Sequence, residues 1–382
     1  MAFGQRADYA TRQSIRLEKL TSIVFAVIND ITYDRRMQRI CDSLAKGGYD
    51  VTLIGRELKN SKPLEPTSFK TIRLRCLFGK GKLFYLEYNL RLFLKLMFMR
   101  ADVYAAADLD TIAPCFKVAW LKRKRKVFDA HEYFQEVPEV VNRPFIKKVW
   151  SWVGKFFVPR ADLAMTVSES LADEFQKLYG IRFETIRNVP RKSTAAIANQ
   201  PGNYLLYQGA LNEGRGLAQL IDAMKTIDMP LKIVGEGDLS DELRKKVKAL
   251  KLGDKIEFLG YIPPDRLEEI TSNAWLGLNL LENKGKSYYY SLANKFFDYI
   301  NHGVPSLSMD FPEYRKINER YEVCLLLDNL QLHNIVRAVY SLKNNAVKYG
   351  QLQKNCLAAR EEFNWENEQK KLLAGFEKIL KK

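Results

Sequence analysis

The stretch GKSYYYSLANKFFDYINHGVP, residues 285–305, carries three polar side chains at a spacing that chemistry can use. Asn294 and Lys295 fall in the first turn of a helix expected over about residues 293–300, and Asp298 follows one turn later. That spacing turns the three toward one face. A helix N-terminus favours an anion by itself. A lysine placed there gains nothing from the helix dipole, and a pyrophosphate beside it accounts for its position. An aspartate one turn on can accept hydrogen bonds from a ribose diol. The plainer account is a solvated i,i+3 Lys–Asp pair, worth about 0.2–0.5 kcal/mol.

Two glycine-bearing turns precede this segment. In YLLYQGALNEGRG, Gly209, Gly214 and Gly216 let backbone approach an anion closely, a helix expected from near Gly214 offers free N–H groups, and Arg215 adds a charge. In LKIVGEGD, Gly235 and Glu236 follow another expected strand and suit a base or ribose. Each also reads as a plain strand–helix turn, since such glycine spacings are common. VFDAHEYF places His131 just past a strand end, between Asp129, read as structural, and Glu132, read as facing an acceptor. Asn29, Asp30, Asp34 and Arg35 follow the first expected strand, where they either touch an acceptor or cap a helix. The tripeptide DLD at 108–110 precedes a helix and reads as its cap, not as a metal motif.

These residues need a frame, and the hydrophobic pattern supplies one. Short apolar runs such as TSIVFAVI, DVTLIG, DVYAAA and KVFDA alternate with amphipathic segments, which implies a mostly parallel sheet covered on both faces. The rhythm pauses at the polar, small-residue stretch 191–203 and then restarts with NYLLYQG and LKIVGEG. The chain therefore reads as α/β, with two similar units whose strand ends share a cleft. NWENEQKKLLAGFEKILKK reads as a terminal amphipathic helix able to pack on either unit.

Composition narrows the function classes. The 382 residues are 47% hydrophobic and 28% charged, a globular balance. No run approaches the ~20 apolar residues of a spanning helix, and the first residues lack the apolar core of a signal peptide. Five scattered cysteines fit buried thiols in a reducing cytosol, and three histidines argue against a histidine-built metal centre. The net charge of +16 is lopsided: residues 1–200 hold 35 Lys and Arg against 21 Asp and Glu, and the remainder 26 against 24. Basic, aromatic segments at 81–100 and 143–160, with a dense basic run at 121–126, suit an anionic membrane surface, though each apolar stripe equally suits packing on the sheet with solvated cations. Nucleic acid is not expected, because no recognisable DNA- or RNA-binding module accompanies the charge.

Taken in order, NDITYDRRMQRICDSLAKGGYDVTLIG, VFDAHEYFQEVPE, LLYQGALNEGRGLAQLIDAM with LKIVGEGD, and LLENKGKSYYYSLANKFFDYINHGVPSLSMD resemble the family 4 glycosyltransferases, and among them bacterial cell-surface polysaccharide enzymes. The resemblance covers roughly Thr21 to Lys382. It implies the GT-B fold, with an acceptor domain over 21–192, a nucleotide-sugar domain over 203–364, and a helix over 365–382 that can cross back to the first domain. It implies retaining transfer of a sugar from a nucleotide diphosphate to a hydroxyl of a glycan or lipid-linked acceptor, without a cofactor or metal. Gly209, Arg215, Gly235, Glu236, Asn294, Lys295 and Asp298 match the donor-binding positions, and His131, Arg215, Lys295 and Glu282 the reacting ones. Ala210 stands where the family usually has an arginine, Lys295 looks like its replacement, and Asp298 is a methylene shorter than the family's glutamate. Tyr288, Tyr289 and Tyr290 replace a glycine-rich loop beside the sugar. The expected place is the cytoplasm, at the inner face of the membrane. The readings that compete with it are a sugar-nucleotide epimerase on the same fold, an inactive scaffold and a nucleic-acid binder.

Overall fold

The computed structural model describes residues 20–32, 34–137, 140, 143–194 and 202–381. The first half builds β1 (Ser22–Asp30), β2 (Asp50–Glu57), β3 (Lys70–Arg75), β4 (Val103–Ala107), β5 (Arg125–Ala130), β6 (Leu163–Thr166) and β7 (Glu184–Thr185). They form one parallel sheet in the order β3-β2-β1-β4-β5-β6-β7. The second half builds β8 (Leu205–Gln208), β9 (Leu231–Val234), β10 (Ile256–Gly260), β11 (Leu276–Asn279), β12 (Ser306–Met309) and β13 (Cys324–Leu327), ordered β10-β9-β8-β11-β12-β13. Strand order reverses between β1 and β4 and again between β8 and β11. Open parallel sheets leave a crevice at the carboxyl ends of the strands flanking such a reversal. The chain just past β1, β4, β8 and β11 holds Ile31, Asp108, Gly209 and Leu280, so these crevices lie where the candidate residues sit. Two Rossmann-like domains with parallel sheets and a cleft between them are thus present.

Both faces of the first sheet are covered at its centre, which is why β1 and β4 are mostly apolar while the edge strand β3, KTIRLR, is not. Ile23, Phe25 and Val27 of β1 pack in one core layer with Ile40 and Leu44 of the helix Arg35–Lys46 and with Leu372 and Phe376 of the helix Trp365–Leu380. Val24 and Ala26 face the other layer, with Tyr88 and Leu92 of the helix Gly81–Phe98 and Ile112 of the helix Leu109–Leu121. Local signals set the helix starts. The Asp34 carboxylate accepts from the Met37 N–H, and Ser168 caps the helix Glu169–Tyr179 by accepting from the Leu171 N–H.

The helix Trp365–Leu380 belongs spatially to the first sheet. The Trp365 indole donates to Ser43 Oγ at 2.8 Å, and the Phe376 ring lies 6.0 Å from Phe25. Two further seams join the domains. The Ser170 N–H donates to Glu313 at 2.9 Å, and Lys286 pairs with Glu174 at 2.8 Å. One expected boundary moves: the helix after the first glycine turn is Leu217–Ala223, not a helix from Gly214, so Arg215 lies in the turn. Gly214 and Gly216 both have positive φ, which bends the chain out of helical geometry there. Part of the polar stretch 191–203 lies outside the described residues.

Candidate active site

The second domain's side of the cleft is built on two stacked turns. Gly209 and Gly235 have φ of +131° and +128°, and a Cβ on Gly235 would lie 2.0 Å from the Gly209 carbonyl oxygen. Glycine at both positions lets the turns after β8 and β9 close on each other. Lys295 runs beneath them: its Nζ would be 3.3 Å from a Cβ at Gly209 and is 3.6 Å from the centroid of the Tyr207 ring. Tyr207 donates its hydroxyl to the Ala210 carbonyl at 2.8 Å. Lys295 is the second residue of the helix Asn294–Asn301, 7% exposed, and has no carboxylate within ion-pair distance among the described residues. Burial first, then repulsion from Arg215, pulls its pKa well below the ordinary lysine value, against the attraction of Asp298. Arg215 lies with its guanidinium 5.1 Å from the Tyr288 ring, and its buried Nε has no hydrogen-bond partner.

The first domain contributes a charged relay around His131. The His131 Nε2 is 3.0 Å from Asp129 Oδ2, and its Nδ1 is 3.5 Å from Asp108 Oδ2. Asp108 also accepts from the His131 backbone N–H at 2.9 Å. Behind it, Arg36 donates twice to Asp129, at 3.0 and 2.7 Å, and once to the Ile186 carbonyl. Burial opposes charge on the imidazole, but Asp108 and Asp129 outweigh it and push the pKa up to about 9. Asp129, held by Arg36 and His131 against its own burial, stays below the usual carboxylate range.

Two cavities bridge the domains. One of about 640 Å³ is lined by Asn29, Asp30, Arg36 and His131 from the first domain and by Leu292 and Asn294 from the second. The other, about 510 Å³, brings Arg35 and Arg39 opposite Gln208, Thr271, Asp298 and His302. Gln208 donates to Asp298 at 2.9 Å and accepts from Thr271 at 2.9 Å. Burial raises the Asp298 pKa, countered by His302, Arg39 and Arg35.

Residues 34–191 match the family model described as Glycosyltransferase Family 4, and residues 190–357 match Glycosyl transferases group 1. The two models together span residues 34–357, and the chain belongs to the family 4 glycosyltransferases. Among curated proteins it is similar to the chitobiosyldiphosphodolichol beta-mannosyltransferase of Mus musculus, 27% identical over 186 residues, 44% of this chain and 38% of that one. It is also 35% identical over 127 residues, 29% of this chain, to the N-acetylgalactosamine-N,N'-diacetylbacillosaminyl-diphospho-undecaprenol 4-alpha-N-acetylgalactosaminyltransferase of Campylobacter jejuni, covering 34% of that protein. The match thus spans little more than a third of either relative's length. Among solved structures, the fold is similar to sucrose-phosphate synthase from Thermosynechococcus elongatus (TM-score 0.76, 17% identity, 94% of this chain and 99% of that one). The Anabaena protein HepE in complex with UDP-glucose gives a TM-score of 0.73 at 12% identity, over 94% of this chain and 99% of that one.

Within this glycosyltransferase the expected residues fall into separate groups. Gly209, Gly235, Arg215 and Lys295 come together at the stacked turns, and Asn294 and His131 share the larger cavity. Asp298 lines the smaller one. Glu282 stands apart from Asp298: it pairs with Lys284 at 2.8 Å and accepts from Gln219 at 3.4 Å. Glu236 is occupied by Arg244, bound at 2.5 and 3.2 Å. Glu132 is exposed and lines a small pocket with Phe134 and Tyr179. Tyr288 lies over Gly214, Tyr289 packs on Phe311, and the Tyr290 carbonyl accepts from Ser168 of the first domain. Asp34 caps the helix Arg35–Lys46.

Asp108 corrects one expectation. It occupies the N-cap position of the helix Leu109–Leu121 but makes no side-chain cap; with φ of +59° its carboxylate turns to His131 instead. The motif DLD masked this, because a cap and a histidine partner look alike in sequence. Arg36 was not singled out either, since its partner Asp129 is 93 residues away. Tyr207 was hidden inside an apolar strand. No group of three or more His, Cys, Asp or Glu side chains able to hold a metal occurs among the described residues.

Proposed function

We propose that this protein transfers a sugar from a nucleotide-diphosphate sugar to a hydroxyl of a glycan or lipid-linked acceptor. The observation that carries the proposal is the pair Arg215 and Lys295: the lysine is buried, the arginine half-buried with a buried, unpartnered Nε, each repels the other's charge, and neither forms an ion pair among the described residues. A buried cation beside a second, half-buried one is costly unless an anion joins them. A departing diphosphate supplies it, and fixed cations that meet charge as it develops lower the barrier to leaving. The Asn294–Asn301 helix adds its N-terminus toward the same place. Gly235 and Glu236 border the donor; Asp298 and the cavity around it receive the nucleoside, with Gln208 fixing the carboxylate; Glu282 holds the loop turn through Lys284 and faces the transferred sugar.

His131 acts as a fixed cation rather than a base in this reading, because its two carboxylate neighbours keep it protonated at neutral pH. It orients a sugar hydroxyl and balances the diphosphate from the opposite wall. The departing phosphate takes the acceptor proton, and transfer proceeds with retention. No cofactor or metal is required. Both curated relatives carry names with lipid diphosphate acceptors, which supports a lipid-linked acceptor here. Their names include one beta and one alpha linkage, so the anomeric outcome is tested directly, by NMR of the product.

Calorimetry against UDP-, GDP-, ADP- and CMP-linked sugars, with and without EDTA, tests the reading. One nucleotide sugar binds equally with EDTA present, and Lys295→Ala and Arg215→Ala each weaken it by roughly tenfold or more, as loss of a charge-assisted contact requires. Unchanged affinity in both variants removes the diphosphate from this place.

A further inference from the structure

The first domain wears an outer surface that its core does not explain. Of the large apolar side chains exposed among the described residues, all but Tyr261, Leu332 and Val347 belong to the first domain. They concentrate on two neighbouring helices, Gly81–Phe98 and Pro144–Phe157, joined where the Tyr85 ring meets Trp150 at 5.8 Å. In the first, Phe84, Tyr88, Leu92 and Leu96 form the stripe that enters the core. Leu83, Leu86, Leu90, Leu94 and Met97 form a second stripe on the opposite side, and all are exposed. A helix apolar on both sides expects an apolar neighbour on each. In the second helix Phe145, Val149, Trp152 and Phe156 recur at helical spacing and point outward, with Trp152 65% exposed and stacked on Phe156.

The charge on this face decides what covers it. The helix Pro144–Phe157 has no acidic residue and carries Lys147, Lys148 and Lys155. Lys80, Lys82, Lys95 and Arg100 border the other helix, whose one acid, Glu87, is paired with Arg91 and bound to the Leu77 and Phe78 N–H groups. A second copy of the chain would bring like charge against like. An anionic bilayer complements both features, taking apolar side chains at the acyl boundary while lysines reach its phosphates. No described helix is long and apolar enough to cross a membrane. Both helices follow strands of a parallel sheet, so their first turns lie at the strand carboxyl ends, on the cleft side; there Lys82 lies 5.9 Å from the Phe145 ring.

We infer that the outer face of the helices Gly81–Phe98 and Pro144–Phe157 docks in-plane on an anionic lipid surface, placing the rim of the cleft at the headgroups. That this face delivers a lipid-linked acceptor rests on the transfer reading above; the docking does not.

Flotation with phosphatidylglycerol–phosphatidylcholine vesicles at low salt tests it. The protein floats with these and not with pure phosphatidylcholine. Leu86→Gln with Trp152→Gln cuts partitioning roughly tenfold or more, as does Lys148→Glu with Lys155→Glu. Both pairs lie on the surface and keep the wild-type circular dichroism and nucleotide-sugar affinity. Absence of flotation, equal binding to neutral vesicles, or a dimer that these substitutions dissolve overturns the docking. A protein that floats but binds no nucleotide sugar overturns the transfer reading and leaves the docking standing.

Discussion

The Lys295 ammonium sits 3.6 Å from the centre of the Tyr207 ring, over an aromatic face in place of a carboxylate. The ring holds the cation in position without neutralising it, so its charge remains free for a ligand. Tyr207→Leu should weaken nucleotide-sugar binding by roughly 2- to 30-fold, the range of a partly desolvated cation–π contact. Tyr207→Phe keeps the ring and loses the bond to the Ala210 carbonyl, and should bind nearly as wild type. Calorimetry on the two variants separates ring from hydroxyl.

At any pH above the free-state pKa of Lys295, donor binding should take up a proton. Burial and Arg215 lower the pKa of Lys295 in the free cleft, and a diphosphate raises it again. Above the free-state pKa, binding must therefore draw a proton from solution, and affinity falls as pH rises. Heats measured in buffers of different ionisation enthalpy report the uptake, and Lys295→Ala should abolish it.

His131 should lend stability at neutral pH that disappears in alkali. Its pKa rises from 6.5 to about 9 on folding, through Asp108 and Asp129 and against burial. The contribution is complete below pH 6.5 and is lost as pH climbs through 9. Asp108→Asn should lower the pH at which the imidazole deprotonates, followed by NMR of its ring protons. His131→Ala should reduce turnover more than donor affinity.

Arg36 and Asp129 form a pair that is 3% and 0% exposed. Arg36→Met leaves a buried carboxylate short of its main partner and should cost about 3–5 kcal/mol in denaturant unfolding. Arg75→Ala, at an ion pair in which the arginine is 83% exposed, should leave the midpoint unchanged.

Glu313 ties the domains by accepting from the Ser170 N–H while paired with Lys316. Glu313→Ala should enlarge the radius of gyration in small-angle scattering and raise KM for the donor, because the cleft walls then separate more easily.

Much of the frame was legible in sequence. Strand–helix alternation in runs such as DVYAAA and KVFDA depends on local burial, and local burial leaves a periodic trace. The glycines at 209 and 235 were legible because positive φ restricts the residue type. What escaped was long-range. Asp108 resembled a cap, and its turn toward His131 depends on β4 and β5 lying side by side. The pairing of Glu236 with Arg244, eight residues on, crosses the turn after β9, which no spacing rule reveals. Lys295 was visible as an oddly placed cation, whereas the ring beneath it belonged to a strand that read as plain core.

The passage from one domain to the other is made twice, and the two passages are stitched together: the Trp365 N–H donates to the Pro190 carbonyl at 2.8 Å, and Lys192 pairs with Glu361 at 2.6 Å. A single tether would let the lobes swivel freely. Two crossings tied side by side restrain torsion more than one would, and so limit how far Lys295 and His131 can turn relative to each other.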